Sequence, residues 1–259
     1  VALVVKTWVL KITTPSHKQS LDRFLDHFAV EPATTARQRR ETGRLRHRVY
    51  CEEFGYEPLV ADGIEVDGHD GHSLHCLIRH RRSGLPAGCV RLICAAESRS
   101  LALEEHCANS LHVHYMDRLG VDRDRVCEFS RLAAAPEFRL HRHLPRCAYL
   151  DLPDCSEEER NCFALVTTAT FLSAFARAEL AGREHIFGMM EASLPRLLRR
   201  AGIRVTQAGD FMDYHGRRAA HFITLTEAVE GMHPDVHELY RRIRTHLALT
   251  LEPASFAVA

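Results

Sequence analysis

The chain has 259 residues, and its 34 basic side chains are balanced by 34 acidic ones, so the formal net charge is zero. Hydrophobic residues make up 46% of it, which provides for a sizeable core and excludes wholesale disorder. A neutral chain is also a poor general polyanion binder, so no nucleic-acid partner is expected.

Among the basic residues only Lys6, Lys11 and Lys18 are lysines, and the bias toward arginine reads as composition except where a fork-shaped cation is needed. Nine cysteines, scattered from Cys51 to Cys162 without a C-x-x-C pair, read as reduced thiols of a cytoplasmic protein. Val1–Leu10 is apolar but short and broken by Lys6, so no stable membrane insertion is expected.

No repeat or linker divides the chain, and one domain is expected: an N-terminal extension over 1–30, a core over 36–225, and a C-terminal helix and tail over 233–259. Leu21–Phe28 has helical spacing, and Ala36–Phe54 reads as one helix with a basic face. Ser73–His80 and Ala87–Ala95 read as strands joined by a Ser-Gly turn, and Arg125–Ala133 as a third, central strand. Ser156 followed by three acids opens a long apolar helix to Ala181. Strand His185–Met190, helix Ala192–Ala201, strands Ile203–Ala208 and Ala219–Leu225, and helix Pro234–Leu247 complete an α/β order with a mixed sheet.

Four charged segments carry the chemistry. They are Arg46-His-Arg-Val-Tyr50, Glu65-Val-Asp67-Gly-His-Asp70, Gly88-Cys-Val-Arg91-Leu92 and Glu128-Phe129-Ser130-Arg131. Alone, each is also what a structural ion pair would need. In this order and spacing they resemble the acyl-homoserine-lactone synthases and the related N-acyl amino acid synthases, within the GNAT acyltransferase superfamily. The nearest branch is the PEP-CTERM/exosortase-associated acyltransferases, whose opening R-x-R-V-Y-x-E-E stands here at residues 46–53. The resemblance reaches from about Arg46 to Leu225.

The resemblance implies a mixed sheet with a bulged, splayed strand flanked by helices. It also implies a site in which Glu128 is the base, with Arg91, Arg131, Asp67 and Asp70 around it, and Arg46, Tyr50, Phe129 and Ser130 toward the substrates. Strand geometry attaches a condition. In a regular strand Glu128 and Arg131 point to opposite faces, so sharing one site requires a bulge between them.

The expected reaction moves a long-chain acyl group from an acyl-carrier-protein thioester to the α-amine of an amino acid; the alternatives are lactone formation from S-adenosylmethionine and a catalytically inactive GNAT-like acyl-binding module. The thioester is a co-substrate, and no cofactor or metal is expected. No glycine lies between Gly120 and Gly182, so the Gly-rich cradle that acetyltransferases offer to coenzyme A is missing. The stretch Glu137–Arg146, with Arg139, Arg142 and Arg146, reads either as a solvated basic loop or as a docking patch for an acidic acyl carrier protein. The superfamily's tyrosine acid would fall at Leu198. Arg46 or Arg48 is the candidate for the acceptor carboxylate. His69, His72 and His75, and His141 with His143, lack zinc-site spacing. Cys89 and Cys127 flank key residues but read as small core side chains.

Overall fold

The computed structural model describes residues 15–112, 115, 119–139 and 155–251, with side chains from residue 20 onward. Helix α1 (Pro15–His27) leads into strand β1 (Phe28–Pro32), and α2 (Ala36–Arg46) runs on into a π-helical turn, His47–Glu53. β2 (Ser73–His80) and β3 (Pro86–Cys94) form a hairpin, followed by the short helix α3 (Ala102–His106) and β4 (Val126–Ala134). Helices α4 (Glu157–Phe163) and α5 (Val166–Leu180), bent by 57° relative to each other, lead to β5 (His185–Glu191) and α6 (Ser193–Arg200). Short strands β6 (Thr206–Gln207) and β7 (Met212–Asp213), then β8 (Arg217–Thr224), α7 (Leu225–Gly231) and α8 (Pro234–Leu251) end the described chain.

One eight-stranded sheet results, in the order β1-β2-β3-β4-β5-β8-β6, with β7 also on β8. Among the described strands only β4 and β5 pair in parallel. The observed architecture is the expected mixed α/β sheet flanked by helices. Local sequence accounts for its boundaries: Thr35 caps α2 in a reciprocal box with Gln38, and Ser156 caps α4 in the same way with Glu159. Gly84, at φ +71°, permits the tight turn between β2 and β3.

Several boundaries differ from expectation. The segment expected as a loose extension is built into the core from α1 onward. Phe24 and Phe28 stack at 4.8 Å, and Phe28 meets Phe138 and Phe163 edge-on. β1 escapes sequence pattern because it is short and ends in proline, which an edge strand tolerates. The single helix expected over 156–181 is two, and the strand expected over 203–208 shrinks to Thr206–Gln207.

The two faces of the sheet have separate jobs. On one, α5 lies close over β3. A Cβ at Gly88 would come within 2.4 Å of Thr170 Oγ1, whose hydroxyl is already donated to the Val166 carbonyl. Gly88→Ala is therefore expected to cost about 1–3 kcal/mol by overpacking, read as a lower urea midpoint at unchanged slope. On the other face Ile93, Val126, Phe187 and Phe222 form a smaller cluster with Leu101 and Leu103, leaving room beside β4. Among the described residues no single helix is long and apolar enough to cross a membrane.

Candidate active site

The π-helical turn after α2 sets the first part of the site. Four residues apart, Arg46 and Tyr50 share the inward face of this helical segment, and both are buried. The Tyr50 hydroxyl donates to the Leu132 carbonyl at 2.7 Å, and the Arg131 guanidinium lies 5.5 Å from the centre of its ring. A residue of the basic face of α2 has thus become a core cation.

Arg46 is 2% exposed and pairs through Nε with Glu65 and through both terminal nitrogens with Asp70, at 2.6 and 3.1 Å. Arg91, 1% exposed, donates to Asp67 at 2.6 Å and to the Ser130 hydroxyl at 3.2 Å, and also pairs with Asp70 at 3.2 Å. Arg131 meets Glu57 at 2.8 Å, Glu65 at 3.1 Å and Asp67 at 3.3 Å. Burial alone would raise the Asp70 carboxyl, but hydrogen bonds and charge from Arg46, with help from Arg91, hold it well below the usual range. The turn from Asp67 to Asp70 is closed internally: Asp70 accepts from the Asp67 N–H at 2.7 Å and Asp67 from the His69 N–H at 2.9 Å.

The bulge that the spacing required is present. Register runs from Cys89↔Ala133 to Arg91↔Ser130, so Arg131 and Leu132 together oppose the single residue Val90. Arg131 sits at φ +51°, an uncommon conformation for a side chain of its size. The reset of alternation brings Glu128, Ser130 and Arg131 to one face. Beyond Glu128↔Phe187 the β4–β5 ladder stops, and the facing backbones of Phe129–Leu132 and Gly188–Met190 line a cavity instead of bonding each other.

That cavity has a volume of about 700 Å³, in the usual range for a small-molecule site. Asp67, Arg91, Glu128 and Arg131 line its charged side, while Phe129, Phe171, Met190 and Leu194 line an apolar side. Glu128 is 5% exposed and accepts one hydrogen bond, from the Leu103 N–H at 2.9 Å. Burial pushes its carboxyl up to about 7, against the opposing pull of that N–H and of Arg91 and Arg131. A carboxylate poised near neutrality in a cleft is suited to proton transfer.

The structure places the expected residues unevenly. Glu128, Arg131, Arg91, Asp67, Tyr50, Phe129 and Ser130 line the cavity. Arg46 and Asp70 lie behind the wall. Arg46 is spent on Glu65 and Asp70, so it positions other side chains and is not free to hold an acceptor carboxylate; Arg48 pairs with Glu137.

Arg139 is a correction. It is buried, forks onto Glu53 at 2.6 and 2.5 Å and donates to the Ala134 carbonyl, so it cannot be a docking cation. Arg142 and Arg146 fall outside the described residues, as do His141 and His143. Of the apolar helix, only Phe171 reaches the cavity, while Phe163, Leu172 and Phe175 belong to the core. Leu198 is a core residue too. Burial pushes the Cys89 thiol up to about 12, unsuited to a nucleophile.

Several lining residues had no sequence signal: Glu57, Glu105, Tyr214, His215 and Arg218. His75 is buried and held neutral, pushed down by burial to about 4 beside Asp70. At the rim His69 pairs with Glu105 at 3.2 Å, and these two with His106 bring ligand-type atoms within 4.8 Å of one another. Two of the three are exposed, and an ordinary His–Glu ion pair accounts for the contact.

Residues 45–147 match the acetyltransferase (GNAT) domain family. No curated protein sequence matches the chain significantly. Among solved structures, TofI in a ternary complex with an inhibitor and MTA is similar at a TM-score of 0.56 and 21% identity, over 81% of this chain and 99% of that one. BjaI, a CoA-dependent acyl-homoserine lactone synthase with SAM and isopentyl-CoA, is similar at a TM-score of 0.57 and 17% identity, over 83% and 89%. FeeM, an N-acyl amino acid synthase from uncultured soil microbes, is similar at a TM-score of 0.51 and 11% identity, over 79% and 94%. At these identities the likeness is one of fold. With the domain match over residues 45–147 and the splayed, bulged strand, it gives this chain the fold shared by GNAT acyltransferases and acyl-homoserine-lactone synthases.

Proposed function

We propose that the chain transfers a long-chain acyl group from a thioester to the α-amine of an amino acid. The observation that carries this reading is Glu128, buried at the point where β4 and β5 part, with its carboxyl pushed up to about 7. Glu128 takes a proton from the acceptor ammonium, directly or through a water. The freed nitrogen attacks the thioester carbonyl, an N–C bond forms, the C–S bond breaks, and the thiolate leaves to be protonated as the free thiol. Backbone N–H groups along the parted strands face the carbonyl oxygen as its negative charge develops.

Arg91 and Arg131 hold Asp67 and fix the charged wall. The apolar side at Phe129, Phe171 and Met190 receives the acyl chain. The missing glycine cradle favours an acyl carrier protein as donor over coenzyme A. The test is thiol release from a decanoyl thioester, supplied on carrier protein and on coenzyme A. Release should depend on added amino acid and should fail with S-adenosylmethionine alone; release only with S-adenosylmethionine would replace this reading with lactone synthesis.

A further inference from the structure

The three arginines of the network are matched by four carboxylates: Arg46, Arg91 and Arg131 by Glu57, Glu65, Asp67 and Asp70. Another arginine of the cavity, itself buried, is not matched. Arg218, on β8, is 5% exposed and lines the same cavity. Its guanidinium lies 5.7 Å from the centre of the Tyr56 ring, and its Nη2 is buried without a hydrogen-bond partner. Among the described residues, no carboxylate forms an ion pair with it. Even Glu191, opposite it in the β5–β8 register, does not.

A buried cation without a counter-charge costs several kcal/mol, and folds keep one chiefly where something else supplies the anion. Arg218 stands on the same sheet face as Glu128, across the gap between β4 and β5. One wall of the cavity therefore carries carboxylates and the opposite wall a lone guanidinium. An α-amino acid zwitterion fits that polarity in one orientation, its ammonium toward Glu128 and Asp67 and its carboxylate toward Arg218. A guanidinium fork is also the cation best shaped for a carboxylate.

We infer that Arg218 is the receptor for the acceptor's carboxylate, the role that Arg46 and Arg48 cannot fill. The inference rests on the amino-acid reading above and adds the group that selects acids over plain amines. It is tested by thiol release from decanoyl thioester, comparing each amino acid with its primary amide. In the wild type the amide should be at least about 10-fold worse in kcat/KM, mainly through KM, as expected for losing a charge-assisted pair. In Arg218→Met the acid should fall to the level of the amide, and Arg218→Lys should restore part of the difference.

Near-ultraviolet circular dichroism checks that the variants fold, and the acid–amide comparison in the wild type needs no variant at all. An amide as good as the acid in the wild type overturns the inference, as does an Arg218→Met variant that lowers both equally. In those cases amino-acid-dependent release persists and the proposed function stands. If no amino acid supports release even in the wild type, the function itself has failed, and the inference falls with it.

Discussion

Glu128→Gln should lower kcat by about two to four orders of magnitude, the usual worth of a general base, while the protein stays folded. The amide keeps an acceptor oxygen for the Leu103 N–H, so that buried donor retains its partner. The wild-type rate should rise with pH along a limb centred near 7, because the base must be ionised. The glutamine variant should lack that limb.

Stability moves the other way. Because the folded carboxyl titrates near 7 and the unfolded one near 4.5, the native state holds the extra proton between those values. Wild-type stability therefore falls as pH rises from about 4.5 to 7, by roughly 3 kcal/mol. Urea melts at pH 5 and pH 8 should show this loss in the wild type and its absence in Glu128→Gln. A variant with an unchanged rate, or a surviving limb near 7, would remove Glu128 from the mechanism.

Arg46→Ala should have the largest effect on stability, about 3–5 kcal/mol, because it takes the closer cation from Glu65 and Asp70 and leaves each with one longer pair, to Arg131 and to Arg91. The Asp70 carboxyl, now held low by Arg46, should rise, and the turn carrying Asp67 should loosen with it. Activity would then drop in the folded fraction too, although Arg46 does not line the cavity. Urea unfolding with unchanged slope gives the energy; a loss under about 1 kcal/mol would show that the network is not cooperative. Arg46→Lys should recover only part, since an ammonium cannot satisfy Glu65 and both oxygens of Asp70 at once.

The elements around the site were legible because their signals are local. Ser156 and Glu159 announce a helix start, a Ser-Gly turn marks the β2–β3 hairpin, and the three-residue spacing of Glu128 and Arg131 demands the bulge that β4 contains. What was illegible depends on partners distant in sequence. Arg139 sits in a run of basic residues that looks solvated, yet Glu53, 86 residues earlier, draws it inside. The closing Glu-Glu of the segment at 46–53 was the available signal, since a buried acid needs a cation.

Arg218 gave no signal either. Beside Arg217 it looks like an ordinary strand-end charge, and only the closure of β8 onto β5 puts it in the cavity. The long basic helix is not a single regular element: it ends as an α-helix at Arg46 and continues as a π-helical turn, His47–Glu53, a local widening that the side-chain spacing does not mark.

The most direct test of the acyl-transfer reading is the mass of the product. Decanoyl thioester, a ¹⁵N-labelled amino-acid pool and S-adenosylmethionine should be offered together and the products resolved by mass spectrometry. The expected product has the mass of one labelled amino acid plus decanoic acid minus one water, with its carboxylate free. Decanoyl-homoserine lactone as the sole acylated product, or only free decanoic acid, would contradict it.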